Sequence, residues 1–88
     1  MLLKNRISII TGGSTGIGQA TVETFAKEGA TVIFCDVNNK QGKINEKNLR
    51  KKGYNVYFKK GDVSKENDVK KLINFTIKNF KRIDVLFN

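Results

Sequence analysis

The residues able to do chemistry in this 88-residue chain gather in one stretch, Thr11-Gly12-Gly13-Ser14-Thr15-Gly16-Ile17-Gly18, followed at a distance by the carboxylates Asp36 and Asp62. The stretch leaves the apolar run Ile7-Ser8-Ile9-Ile10-Thr11 and opens a segment with helical spacing. A turn that holds phosphate between a strand and a helix needs this composition. Gly12 lets the chain bend sharply off the strand, Gly16 lets backbone N–H groups approach a pyrophosphate with no Cβ in the way, and Gly18 allows close helix–strand packing. The anion would rest on the positive end of the helix that begins near Ile17. Ser14 and Thr15 add hydroxyl donors.

Two nucleotide loops share such glycines. A P-loop needs Gly, four residues, then Gly-Lys-Ser/Thr; Gly13 and Gly18 have the spacing, but Gln19 and Ala20 follow. Without the lysine and the metal-binding hydroxyl, triphosphate hydrolysis lacks its main parts. The dinucleotide reading gains a second mark. Asp36 ends the next apolar run, 18 residues after Gly18, where a carboxylate can accept both hydroxyls of an adenosine ribose. Alone, Asp36 would read as a strand-end turn residue; behind the glycine turn it reads as the ribose ligand.

These residues need elements that bring them together. Residues 7–11, 31–35, 55–60 and 83–87 are short apolar or alternating runs and predict four strands. Helical spacing predicts a helix over 17–28, with Val22, Phe25 and Ala26 on one face and Gly29 as its cap. A thinly anchored helix is predicted over 40–52, with Ile44 and Leu49 as its large apolar residues and Gly53 as cap. Ser64 predicts the N-cap of a third helix with Val69, Leu72, Ile73, Thr76 and Phe80 inward. The order β-α-β-α-β-α-β, with connections too long for hairpins, predicts an α/β fold with a parallel sheet and right-handed crossovers. Residues 1–88 read as one unit.

Composition narrows the alternatives. There is no His and one Cys, which excludes a Ser-His-Asp triad, a zinc site and an internal disulfide. Cys35, inside an apolar run, reads as a buried structural thiol, and the chain as one suited to a reducing cytosol. Lys4 and Arg6 interrupt the N-terminus before a signal-peptide core could form, and no run approaches membrane-span length. The net charge of +9 raises nucleic acid as a partner. However, 14 of the 17 basic residues are Lys, beside 10 Asn and 9 Ile, a mixture that AT-rich codons produce without any partner. Specific readers of nucleic acid favour Arg for its bidentate fork. The expectation is a lysine-rich solvated surface, with no specific nucleic acid and no membrane partner.

The motif Thr11-Gly12-x-x-x-Gly16-Ile17-Gly18 resembles the cofactor signature of the short-chain dehydrogenases/reductases. Gly61-Asp62-Val63-Ser64 is similar to that family's Asp-Val after the third strand, and Ile83-Asp84-Val85-Leu86-Phe87-Asn88 to the strand entering its Asn-Asn-Ala-Gly motif. The resemblance covers essentially the whole chain and about the first third of a usual member. It implies a partial Rossmann fold, a doubly wound parallel sheet of strand order 3-2-1-4, and a dinucleotide cofactor. Gly12, Ser14, Thr15, Gly16, Ile17 and Gly18 would hold its pyrophosphate and Asp36 its ribose. Asp62 and Val63 would hold the adenine, and Asn88 would border the cofactor.

A carboxylate at Asp36 accepts a ribose 2′-OH and repels a 2′-phosphate, and neither Thr15 nor Val37 is basic, so NAD is expected over NADP. Charge-assisted hydrogen bonds of this kind contribute about 1.5–3 kcal/mol. The resemblance implies hydride transfer between NAD and an alcohol or carbonyl, which in that family depends on a Tyr-x-x-x-Lys pair. Tyr54 and Tyr57 are followed at the fourth place by Phe58 and Gly61, so these residues alone are expected to be inactive. The alternative is a non-catalytic adenine-nucleotide module that works as an oligomer or docks to a partner. Strand 83–87 would be an open apolar edge, prone to self-association. Relatives commonly carry Gly where Lys81 stands; if that position needs a positive φ, Lys81 adds roughly 1 kcal/mol of strain.

Overall fold

Apolar β-branched runs separated by amphipathic segments leave few ways to bury both faces of a sheet, and this chain takes the parallel one. The computed structural model describes residues 1–14 and 16–87. In chain order it contains β1 (Ile7–Thr11), α1 (Gly16–Lys27), β2 (Thr31–Asp36), α2 (Asn39–Lys51), β3 (Val56–Lys60), α3 (Glu66–Phe80) and β4 (Val85–Phe87). The strands are all parallel in the order β3-β2-β1-β4, so the expected topology is present. Ile9 lies beside Ile33 on one side and Leu86 on the other.

Successive strand residues face opposite sides, so the two central strands feed two cores. Ile10, Val32, Phe34, Val56 and Phe58 pack with Val22 and Ala26 of α1 and Leu49 of α2. On the other face Ile7, Ile9, Ile33 and Cys35 meet Leu72 of α3, with Tyr57, Phe75 and Phe80 packed around them. Burial pushes the Cys35 thiol above its usual pKa, and the neighbouring Asp36 charge adds to that, as suits a structural residue.

α2 differs from the expectation in what it buries. Leu49 is buried, but Ile44 is 43% exposed, and the inward positions are Gly42 and Asn45. The cause is a close approach: a Cβ at Gly42 would overlap the Phe58 ring, so the helix lies against that ring and Ile44 turns outward. In α3, Leu72 and Thr76 are buried as expected, while Ile73 stands at the exposed margin. Phe75 takes the inner place, its ring 6.3 Å from that of Phe80, which in turn meets Tyr57 at 5.2 Å. β4 starts at Val85, two residues later than expected, because the Asp84 side chain does part of the pairing: Oδ2 accepts the Ile7 N–H at 2.8 Å while the Asp84 N–H donates to Ile7 O. The Arg82 guanidinium and then the Ile7 N–H hold the Asp84 carboxyl below its ordinary pKa.

All three helices end in a left-handed residue. Gly29 and Gly53 each close a Schellman motif, Ala30 N–H reaching Phe25 O and Tyr54 N–H reaching Leu49 O. The third such position is Lys81, at φ 71°, whose N–H donates to Ile77 O at 2.9 Å. A side chain there is strained whereas glycine is not. Lys81→Gly is therefore expected to stabilise the chain by about 1 kcal/mol, read as a higher denaturation midpoint in urea; an unchanged or lower midpoint would contradict the strain.

Candidate functional site

Parallel strands end on one side, so the loops after β1, β2 and β3 meet at a single edge of the sheet. The strand order reverses direction between β1 and β4, where open α/β sheets form a crevice. Gly12, at φ +66°, turns the chain off β1, and the Gly13 N–H then donates to Cys35 O at 3.1 Å, which carries the loop across to the end of β2. Gly16 opens α1 at φ +56° with open space where a Cβ would stand. A Cβ at Gly18 would overlap the Gly12 carbonyl, so α1 approaches the strand end only because this residue is glycine. Ile17 is exposed in the first turn.

Asp36 joins the loop to β2. Its Oδ2 accepts the Ser14 N–H at 3.3 Å and its Oδ1 the Asn38 N–H at 3.0 Å. Burial alone would raise its pKa. The Asn38 N–H, the Ser14 side chain and the N–H groups of Ser14 and Val37 outweigh that and hold the carboxyl below its ordinary value. The Ser14 hydroxyl is fully buried close to the carboxylate, near enough to favour its charge but short of hydrogen-bond geometry. Its two N–H hydrogen bonds do not use up the roughly four lone-pair sites of the Asp36 carboxylate, which leaves acceptor capacity for a further donor.

Gly61 N–H donates to Asp36 O at 3.1 Å and brings the loop after β3 to the same edge. Asp62 Oδ1 accepts both the N–H and the hydroxyl of Ser64, at 2.9 and 2.6 Å, and its own N–H donates to Asp68 Oδ2. The Ser64 hydroxyl and then its N–H hold the Asp62 carboxyl below its usual value. Ser64 is therefore not the N-cap of α3; that place falls to Lys65, whose side chain makes no capping bond, because Asp62 has captured the serine hydroxyl. Asp62 and an exposed Val63 border a cleft of about 280 Å³, walled by Cys35, Leu72 and Phe75.

The structure thus brings Gly12, Ser14, Gly16, Ile17, Gly18, Asp36, Asp62 and Val63 to one end of the sheet. Thr15 and Asn88 lie outside the described residues. The loop also has a floor that sequence reasoning missed. Asn45 of α2, 4% exposed, donates from Nδ2 to Ser14 O at 2.7 Å, and Asn38 caps the same helix by accepting the Gln41 N–H. Counting back from Leu49 by four and seven residues reaches Asn45 and Gly42, the signal that would have found them. An orphaned buried hydroxyl, an anion-ready helix start and a carboxylate with free lone pairs together fit a dinucleotide.

Because Asp36 is held charged in the folded chain, its stabilisation is complete above the unfolded-state pKa of about 3.9 and is lost as pH falls through the lower folded value. Denaturation midpoints are expected to fall between about pH 5 and pH 3, and Asp36→Asn to make that fall shallower. A variant whose acid limb matches that of the parent would contradict the assignment.

The family profile described as short chain dehydrogenase matches residues 6–88. The chain is 44% identical over 86 residues to the uncharacterized oxidoreductase YxbG of Bacillus subtilis, covering 98% of this chain and 32% of that protein. It is 36% identical over 87 residues to an uncharacterized oxidoreductase of Thermotoga maritima, covering 99% and 34%. Among solved structures, a short-chain dehydrogenase/reductase from Burkholderia phymatum in complex with NAD superposes with a TM-score of 0.93 at 26% identity, over 98% of this chain and 31% of the other. A hydroxysteroid dehydrogenase from Escherichia coli gives 0.91 at 28% identity, over 96% and 36%. The chain spans about a third of the length of these relatives, and no helix among its described residues is long and apolar enough to cross a membrane. With the glycine turn, the strand-end aspartate and the 3-2-1-4 sheet all in place, the chain belongs to the short-chain dehydrogenase family.

Proposed function

We propose that residues 1–88 are the NAD-binding half-domain of an oxidoreductase that moves a hydride between NAD and an alcohol or carbonyl. The observation that carries this reading is the Asp36 carboxylate seated against the Ser14 N–H, which joins a ribose ligand to a phosphate loop. Gly12, Ser14, Gly16, Ile17 and Gly18, with Thr15, hold the pyrophosphate through N–H groups and hydroxyls at the start of α1. Asp36 accepts the ribose hydroxyls on its remaining lone pairs. Asp62 and Val63 receive the adenine at the cleft beneath α3, and Asn88 borders the cofactor. When bound, NAD supplies the acceptor or donor of the hydride; these residues bind and orient it. The bound NAD of the Burkholderia phymatum relative supports the choice of cofactor. One buried thiol suits a reducing cytosol as the working compartment.

A second reading is favoured by one observation. Leu86 is 58% and Phe87 36% exposed on β4, an edge strand, and Ile73 and Ile77 of α3 add to the uncovered apolar surface. An adenine-nucleotide module that does no catalysis and associates with itself through residues 83–87 would cover that edge.

Cofactor choice follows from the charge on Asp36. Calorimetric titration at fixed salt is expected to give NAD a tighter Kd than NADP by about tenfold or more, the worth of one charge-assisted hydrogen bond. Asp36→Ala is expected to erase most of that gap. Tighter binding of NADP by the parent chain would overturn the assignment.

A further inference from the structure

The hydrogen bonds around Asp36 do not stop at the nucleotide loop; they return to it through α2. Asp36 Oδ1 accepts the Asn38 N–H, Asn38 Oδ1 accepts the Gln41 N–H, Gln41 Nε2 donates to Asn45 Oδ1 at 2.9 Å, and Asn45 Nδ2 donates to Ser14 O. Ser14 N–H closes the ring on Asp36 Oδ2. The direction of each bond is dictated by chemistry: a carbonyl oxygen only accepts, so Asn45 must present its NH₂ to Ser14 and its oxygen to Gln41. Ser14 is therefore held at both its N–H and its C=O, one by the ribose ligand and the other by a buried helix residue.

We infer that Asn45 is a positioning residue for the phosphate loop, an inference that rests on the dinucleotide reading above. A backbone carbonyl turned toward a pyrophosphate repels it, whereas one turned into the protein leaves the loop's N–H groups as the surface the anion meets. Asn45 holds the Ser14 carbonyl turned into α2. Its reach depends on Gly42, since only a residue without Cβ lets α2 lie against the Phe58 ring. Gln41, which is partly exposed, fixes the rotation of the Asn45 amide.

The test compares a ligand that carries a pyrophosphate with one that does not. Equilibrium titrations of ADP and of adenosine are made on the parent chain, Asn45→Leu and Gln41→Met. Asn45→Leu is expected to weaken ADP about tenfold, the worth of one buried hydrogen bond, and adenosine less than twofold. Gln41→Met, on a side chain that can be lost without a cavity, is expected to weaken ADP about threefold with adenosine unchanged, and it decides the matter if Asn45→Leu does not fold. Equal losses for both ligands would mean Asn45 serves stability alone, and no loss for either would remove its role; both overturn the inference and leave the dinucleotide reading standing. A parent chain that binds neither ligand would overturn both.

Discussion

The carboxylate of Asp36, shared between the N–H groups of Ser14 and Asn38, is the contact on which the rest of the site depends. One bond draws the glycine loop onto the end of β2, and the other starts the turn into α2. The carboxylate is held charged by the backbone donors that outweigh its burial, so the group that would bind a ribose also organises the loop that would bind phosphate. On the proposed reading, substitutions at Asp36 would act on structure and on ligand choice together, whereas those at Asp62 fall in a loop that closes on itself through Ser64 and Asp68.

That contact exists because the sheet is parallel. Register pairs Thr11 with Cys35 and Asp36 with Lys60, so three strand ends arrive at one level and their loops touch. The Gly13 and Gly61 N–H groups fasten the neighbouring loops to β2 at Cys35 O and Asp36 O, and β2 is thus the spine of the site. The two faces of the sheet are unequal. Among the described residues α1 and α2 together cover one, while α3 alone covers the other and leaves Ile73, Ile77, Leu86 and Phe87 exposed.

Much of this was legible from residue types because the signals are local. Buried parallel strands read as continuous β-branched runs, and the glycines of the loop each meet a local demand, most plainly at Gly12 and Gly18. What was not legible depends on distant partners. Nothing near Gly42 says that an aromatic ring from β3 will lie against it, and that ring decides that Asn45, and not Ile44, faces inward. Ser64 has the right type for an N-cap, but Asp62 competes for its hydroxyl and wins. Asp84 shortens β4 by using its side chain where a strand would use its backbone. At Ser64 and Asp84 a side chain chose between two legitimate hydrogen-bond roles, and the fold selected the one with a partner.

On the proposed reading, the loop after β1, the end of β2 and the loop after β3 form one nucleotide site. Backbone amide NMR of the labelled chain during titration with NAD tests it most directly. Saturable shifts are expected at Gly12 to Gly18, Asp36 to Asn38 and Gly61 to Val63, with the outer lysine faces of α2 and α3 unmoved. Shifts confined to those lysine faces and abolished by salt, or no saturable shifts, would contradict it.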